Sequence, residues 1–303
     1  MKIVIGLGGT TPFESSDAPG LLEMARLADE AGVYGIEMSD HLIMTEQAAE
    51  QFPYGRGRLN YESCFYEPLT MLAAFAAATT RIRLFTSIVV APTRSTIYLA
   101  KQIATVDQIS QGRLTVGVGA GWLREEIEQT PGVSFTSRFS YLDEQVAAWR
   151  QLWGSLPAAF DGKFVSFKGV YARPAPYQGA GVPVLYGMRP TERNLASIAA
   201  FADGWEANWA MSQPDNVAAH TRTLRAAFAA NGRDPGTLRV GVAPHPVPGS
   251  NGRPDLPATL DAVTAFADAG ATHAHLSAHH FGDINQYADW VTQVADGQRK
   301  RFG

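Results

Sequence analysis

Residues 82–118 read IRLFTSIVVAPTRSTIYLAKQIATVDQISQGRLTVGV, and the order of segments in them decides the fold. A short apolar run, Ile82 to Val90, precedes a longer amphipathic segment, Thr96 to Ser110, closed by Gly112; a second apolar run, Leu114 to Val118, follows. The spacing predicts strand, helix, strand. Working outward toward the N-terminus, Tyr34 to Met38 and Ile3 to Leu7 read as strands, and Pro68 to Ala78 as a helix. Between the two strands lies a helix, Leu21 to Ala31, whose Leu21, Met24, Ala25 and Ala28 recur at helical spacing and which Gly32 ends. Toward the C-terminus the helix Arg138 to Trp153 is followed by four more pairs: Val182–Tyr186 with Thr191–Phe201, Gly204–Ala207 with Pro214–Ala230, Leu238–Val242 with Pro257–Ala269, and His273–Leu276 with Ile284–Ala295.

Eight strand-then-helix units define an α/β protein whose expected architecture is a (β/α)8 TIM barrel, with an open doubly wound sheet as the alternative. No composition break divides the chain, so residues 1–303 are read as one domain. It carries insertions after the second strand (39–67) and the fourth (119–137), and a Gly- and Pro-rich stretch before the fifth (160–181), in which Lys163 to Phe167 alternates like a hairpin strand. In a barrel the first two insertions sit at the C-terminal rim, where active sites are built.

Composition narrows the function. With 46% hydrophobic and 18% charged residues in 303, the chain has enough apolar material for a sizeable core. A formal charge of -4, from 25 basic and 29 acidic side chains well mixed, offers no cationic face for a row of phosphates, so nucleic acid is not an expected partner. Cys64 is the one cysteine, which excludes an internal disulfide or thiolate cluster and suits the cytoplasm. No signal-length or membrane-spanning apolar run is present, and no membrane partner is expected.

The strand ends hold the candidate chemistry. Asp40-His41 follows the second strand, placing an imidazole over the barrel mouth, where it can exchange a proton near neutral pH; the plain alternative is a polar pair capping a strand. Gly117-Val118-Gly119-Ala120-Gly121-Trp122 strips side chains from the end of the fourth strand, so that a flat ligand can lie on the backbone; the alternative is a tight barrel corner. The third glycine of a dinucleotide fingerprint is replaced by Trp122, which excludes that motif. Tyr186-Gly187-Met188-Arg189-Pro190-Thr191 opens a helix whose free N–H groups suit phosphate, helped by Thr191 and by Arg189 or Arg193. His273, His275, His279 and His280 crowd the last strand near Asp283, but no helically spaced carboxylate accompanies them, so they are read as rim residues and no metal is expected. The aromatics Phe52, Tyr54, Tyr61, Phe65, Tyr66, Trp122, Trp205 and Trp209 are candidates for an apolar pocket wall or for core.

Several blocks, in order, resemble the bacterial-luciferase-like superfamily, and within it the coenzyme F420-dependent oxidoreductases. They are Ala25 to Gly32 running into Ser39-Asp40-His41-Leu42, Ala100 to Asp107 with Ser110 to Leu114, Val116 to Trp122, Arg138 with Asp143-Glu144, Pro174-Ala175-Pro176, and Ala202-Asp203-Gly204-Trp205. The resemblance implies a barrel that holds a deazaflavin or flavin at its C-terminal mouth, with coenzyme F420 as the expected cofactor and FMN as the alternative. It further implies a non-proline cis peptide at Ser87-Ile88 beside the ring, backbone from Gly119, Ala120 and Gly121 along it, and Gly187 and Met188 on the phosphate side. His41, paired with Asp40, becomes the proton donor or acceptor for hydride transfer to or from a small organic substrate. An FMN-dependent monooxygenase and a non-catalytic cofactor-binding barrel are the competing functions, and a homodimer is a possible assembly. Sugar-phosphate dehydrogenases of the branch resemble this chain but have a glutamate at the position of Ala120, so a more apolar substrate is expected.

Overall fold

The architecture comes from a computed structural model, which describes residues 1–7, 18–50, 65–130, 133–154, 156–179, 181–208, 210–250, 253–278 and 281–303. The barrel strands are β1 (Lys2–Gly6), β2 (Gly35–Met38), β3 (Arg83–Val90), β4 (Leu114–Gly119), β7 (Val184–Tyr186), β8 (Gly204–Ala207), β9 (Arg239–Val242) and β10 (His273–Ser277); β5 (Ala158–Asp161) and β6 (Ser166–Val170) form a separate antiparallel hairpin. All barrel pairings are parallel, and the sheet closes in the order β1-β10-β9-β8-β7-β4-β3-β2. The helices are α1 (Ala18–Ala31), α2 (Glu46–Glu50), α3 (Pro68–Ala78), α4 (Thr96–Ile109), α5 (Arg124–Glu128), α6 (Arg138–Trp153), α7 (Glu192–Phe201), α8 (Pro214–Ala230), α9 (Leu256–Asp268) and α10 (Ile284–Phe302). This is the (β/α)8 barrel that the strand-helix rhythm predicts. Among the described residues no helix is long and apolar enough to cross a membrane.

Local chemistry explains the element ends. Glu67 accepts the Thr70 N–H at 2.7 Å and Pro68 follows at the first helical position, where a missing N–H costs nothing, so α3 starts where the sequence places it. Asp255 and Asp283 cap α9 and α10 in the same way. Gly32 (φ 82°) and Gly112 (φ 82°) take the left-handed conformation that ends α1 and α4. Helices then lock onto one another through buried indoles: Trp149 Nε1 donates to Thr96 O at 3.0 Å and Trp153 Nε1 to Ala100 O at 3.1 Å, fixing α6 against α4.

Three expectations shift, two for a tertiary reason and one for a local one. The hairpin strand is Ser166–Val170 rather than Lys163–Phe167, because the Glu144 carboxylate of α6 accepts the N–H groups of Lys163, Phe164 and Val165 and makes that stretch the turn. The fifth barrel strand begins at Val184, since Pro183 has no N–H to donate to the ladder. Helix α10 runs past Ala295 to Phe302; Gly297 is buried against α9, where a Cβ would lie 2.4 Å from Leu260 Cδ1.

Candidate active site

The carboxyl ends of the strands surround a cavity of about 810 Å³, within the range of ligand sites. Its walls combine apolar groups from β3, the end of β8 and the loops after β4 and β7 (Ile88, Val90, Ala207, Ala120, Met188) with Arg138, Arg189 and Arg193 toward the rim. Asp40, His41, Ser87, Gly121, Gly187 and Thr191 also line it, so most of the residues that the sequence singles out converge on one space. Ser87-Ile88 is a non-proline cis peptide, and the β3–β4 register shifts between Thr86 and Val89.

Gly119 and Tyr186 do not reach the cavity. A Cβ on Gly119 would lie 2.0 Å from Ile88 Cδ1, which places this glycine behind Ile88 as the clearance that lets that side chain sit where it does. Tyr186 is fully buried, and burial, reinforced by the nearby Asp143 carboxyl, raises its hydroxyl well above the usual phenol range. Trp205 is likewise core, its Nε1 donating to Met188 O at 2.9 Å. Phe52, Tyr54, Tyr61, Cys64, Trp209, His279 and His280 lie outside the described residues.

His41 is framed closely. Its ring meets the edges of Phe65 and Trp122 at centroid distances of 5.1 and 5.5 Å, and its Nδ1 lies 3.2 Å from Glu126 Oε2 on α5. The neighbouring Asp40 plays a different part. Its Oδ2 accepts Val90 N–H at 2.8 Å and Arg94 Nη1 at 2.6 Å, while Oδ1 accepts Arg94 Nη2 at 2.9 Å. With both oxygens engaged, Asp40 ties the end of β2 to the end of β3. Burial opposes the charge on Arg94, yet Asp40 and Glu67 outweigh it and raise its pKa.

Rim cations gather at the start of α7. Thr191 is its N-cap, with Oγ1 accepting Asn194 N–H at 3.3 Å, and the exposed Arg189 and Arg193 flank that terminus. A helix start of this kind presents unpaired N–H groups and the positive end of its dipole; Arg193 also faces Asp143 at 3.6 Å, and Glu192 lies in the first turn.

Glu37, Glu206 and His275 also line the cavity and belong to an ionic layer whose histidines the sequence singles out and whose carboxylates it misses. His275 contacts Glu37 through Nδ1 and Glu206 Oε2 through Nε2, the latter at 3.1 Å, and His273 Nε2 lies 3.0 Å from Glu206 Oε1. Thr272 Oγ1 donates to Val240 O, so it can only accept from His273 Nδ1, 2.9 Å away; that nitrogen therefore carries hydrogen. Glu206, His273 and His275 have the donor types of a metal centre, with ligand atoms within 4.8 Å of one another; His273 Nε2 is hydrogen-bonded to Glu206 Oε1, whereas neither nitrogen of His275 is in hydrogen-bonding geometry with the carboxylates beside it. Burial alone would lower the pKa of His275, but Glu37 and Glu206 outweigh it and push it well above the ordinary value. Burial likewise opposes the charge of Glu206, and the two imidazoles hold its pKa far below the usual carboxylate range. The available signal was a glutamate within each of two otherwise apolar strands, Gly35–Met38 and Gly204–Ala207, facing histidines on the last.

A family model described as luciferase-like monooxygenase matches residues 4–280. An uncharacterized protein of Mycobacterium tuberculosis is 39% identical over 184 residues, 60% of this chain and 63% of its own length. Pyrimidine monooxygenase RutA of Bradyrhizobium sp. (strain BTAi1 / ATCC BAA-1182) is 33% identical over 178 residues, 56% of this chain and 48% of that protein. The chain thus spans less than two thirds of the length of these curated relatives. Among solved structures, monooxygenase RslO1 from Streptomyces bottropensis superposes with a TM-score of 0.80 at 21% identity, covering 100% of both chains. An F420-dependent secondary alcohol dehydrogenase holding an F420-acetone adduct gives 0.74 at 18%, covering 98% of this chain and 99% of the other. At those identities the likeness is one of fold.

Proposed function

The chain belongs to the luciferase-like monooxygenase family, and from that membership we propose that it is a two-electron oxidoreductase exchanging a hydride between coenzyme F420 and a small organic substrate. The observation that carries the reading is His41 on the wall of a large, partly apolar cavity that has a helix N-terminus at its rim. The residues present suit such a group: Ile88, Val90, Ala120 and Met188 offer apolar surface to a flat ring, and Arg189, Arg193 and the α7 N-terminus offer donors to a phosphate. When bound, the deazaflavin supplies the hydride-carrying chemistry. The protein supplies the proton: His41 gives it to, or takes it from, the substrate atom that gains or loses charge. Ile88, Met188 and Ala207 keep water away from that exchange.

The likeness to proteins named monooxygenases favours a second reading, in which FMN replaces the deazaflavin and oxygen is the co-substrate. Deazaflavin lacks the ring nitrogen that favours reaction with oxygen, so one experiment separates the two. The purified protein is titrated with coenzyme F420 and with FMN in parallel, reading fluorescence, and the loaded enzyme is then assayed for hydride exchange and for oxygen consumption. Binding of F420 with hydride exchange supports the first reading, and binding of FMN with oxygen uptake the second. Binding without turnover leaves a carrier barrel, and binding of neither ends both proposals. His41→Ala should cost about 10²- to 10⁴-fold in turnover, with cofactor affinity nearly unchanged; wild-type turnover in this variant would remove His41 from the reaction.

A further inference from the structure

Helix α5 (Arg124–Glu128) carries a carboxylate that does not touch the cavity but does touch His41. The side chain of Glu126 is fully enclosed, and its Oε1 accepts the Leu42 N–H at 2.6 Å while Oε2 faces His41 Nδ1 at 3.2 Å. An ionised carboxylate has acceptors only, so Nδ1 carries the hydrogen between them. That assignment leaves the lone pair of the neutral ring on Nε2. The Phe65 and Trp122 edges restrict rotation of the ring, so its orientation and its tautomer are set by different neighbours.

We propose that Glu126 is the positioning residue of His41: it fixes the hydrogen on Nδ1 and presents Nε2 to the cavity for proton exchange. The role follows the logic of a base oriented by a third group. When Nε2 takes up a proton, the Glu126 carboxylate faces the resulting imidazolium; when Nε2 gives the proton up, the neutral Nδ1–H tautomer returns. Among the described residues no other charged side chain is hydrogen-bonded or ion-paired to the ring. Asp40, on the same loop, is held by Arg94 from the segment after β3. Arg138, at the start of α6, donates to Gly121 O at 2.9 Å and Phe135 O at 2.6 Å.

The proposal rests on the oxidoreductase reading only for its turnover arm, because the tautomer is measured without cofactor. Nitrogen-15 NMR of histidine-labelled full-length protein, with His41→Ala assigning the resonance, should show hydrogen on Nδ1 of His41. In Glu126→Gln the amide oxygen keeps the Leu42 N–H and the amide NH2 turns toward Nδ1, so the hydrogen should move to Nε2. Turnover should then fall about 10²-fold with substrate KM and cofactor affinity within a few-fold, and the pH–rate profile should be displaced. A purely structural Glu126 predicts that this isosteric variant retains both tautomer and pH profile, and that result overturns the proposal. Hydrogen on Nε2 in the wild-type protein overturns it with no variant needed, even if Glu126→Gln fails to fold. A wild-type protein inactive with F420 and FMN would sink the proposed function while leaving the NMR arm to decide this one.

Discussion

Replacing Asp40 with asparagine tests whether the cavity is built on an internal ion pair. Asparagine matches aspartate in shape, and its carbonyl oxygen can still accept the Val90 N–H. That oxygen also keeps Arg94 Nη1, but the amide group takes the place of Oδ1 and presents donors to Arg94 Nη2, which the wild type holds at 2.9 Å, and the negative charge is lost. The side chains of Arg94 and Asp40 are 9% and 1% exposed, so solvent replaces little of what is lost. Removing one partner of a buried pair costs about 3–5 kcal/mol. The 3.2 Å contact from Arg94 Nη2 to Glu67 Oε1 survives and offsets part of that, which gives an expected loss of about 2–4 kcal/mol from a total of about 5–15 kcal/mol. Urea unfolding followed by tryptophan fluorescence measures it, and a cycle with Arg94→Met isolates the pair. The double variant should be about 2 kcal/mol less destabilised than the sum of the singles. A loss under about 0.5 kcal/mol for Asp40→Asn, or additive effects in the cycle, would refute the view that this pair anchors the mouth of the barrel.

Stability should also depend on the ionic layer that lines part of the cavity. His275 has a folded pKa well above 6.5, so its contribution is complete below that unfolded value and is lost as pH rises through the folded one. Glu206 has a folded pKa below its unfolded 4.5, so its share is present above 4.5 and lost as pH falls. Wild-type urea midpoints should therefore decline above about pH 6.5, and the decline should flatten in His275→Asn; equal slopes in the two proteins would exclude the imidazolium. Gly241→Ala places a Cβ 2.0 Å from Glu206 Oε2 and 2.6 Å from His273 Nε2, and should cost about 1–3 kcal/mol by overpacking in the same unfolding assay; a neutral effect would show that the layer yields freely.

The fold was legible because its signals are periodic and local. Apolar runs, Gly32 and Gly112 at helix ends and the first-turn Pro68 each act within a few residues of themselves. Sequence likewise located His41, Ala120, Gly121 and Arg189, because in this topology any residue just past a strand reaches the mouth. It erred over Lys163 to Phe167, where alternation was read as a strand but Glu144, from a different element, made a turn. It also grouped Gly119 and Tyr186 with the cavity although each lies one step inside the wall, a distinction that depends on which way a residue points.

The partners of the candidate site were invisible for a related reason. Glu126 and His41 are 85 positions apart and Arg94 and Asp40 are 54, so only closure of the barrel brings them together. The ionic layer shows what closure adds. Glu206 on β8 and His273 on β10 are separated by β9, and both pair in register with Gly241. Glu37 on β2 and His275 on β10 are separated by β1, where Glu37 pairs with Gly6, whose Cβ would lie 2.8 Å from Glu37 Oε1. On β9 the residue between Glu206 and His273 has no side chain, and the two meet through that gap; on β1 Gly6 leaves room for the Glu37 carboxylate, while His275 pairs in register with Val4. A glycine within a strand thus acquires meaning from its neighbours' side chains. That is why Gly6 and Gly241 read as ordinary strand residues until register aligned them with the carboxylates they admit.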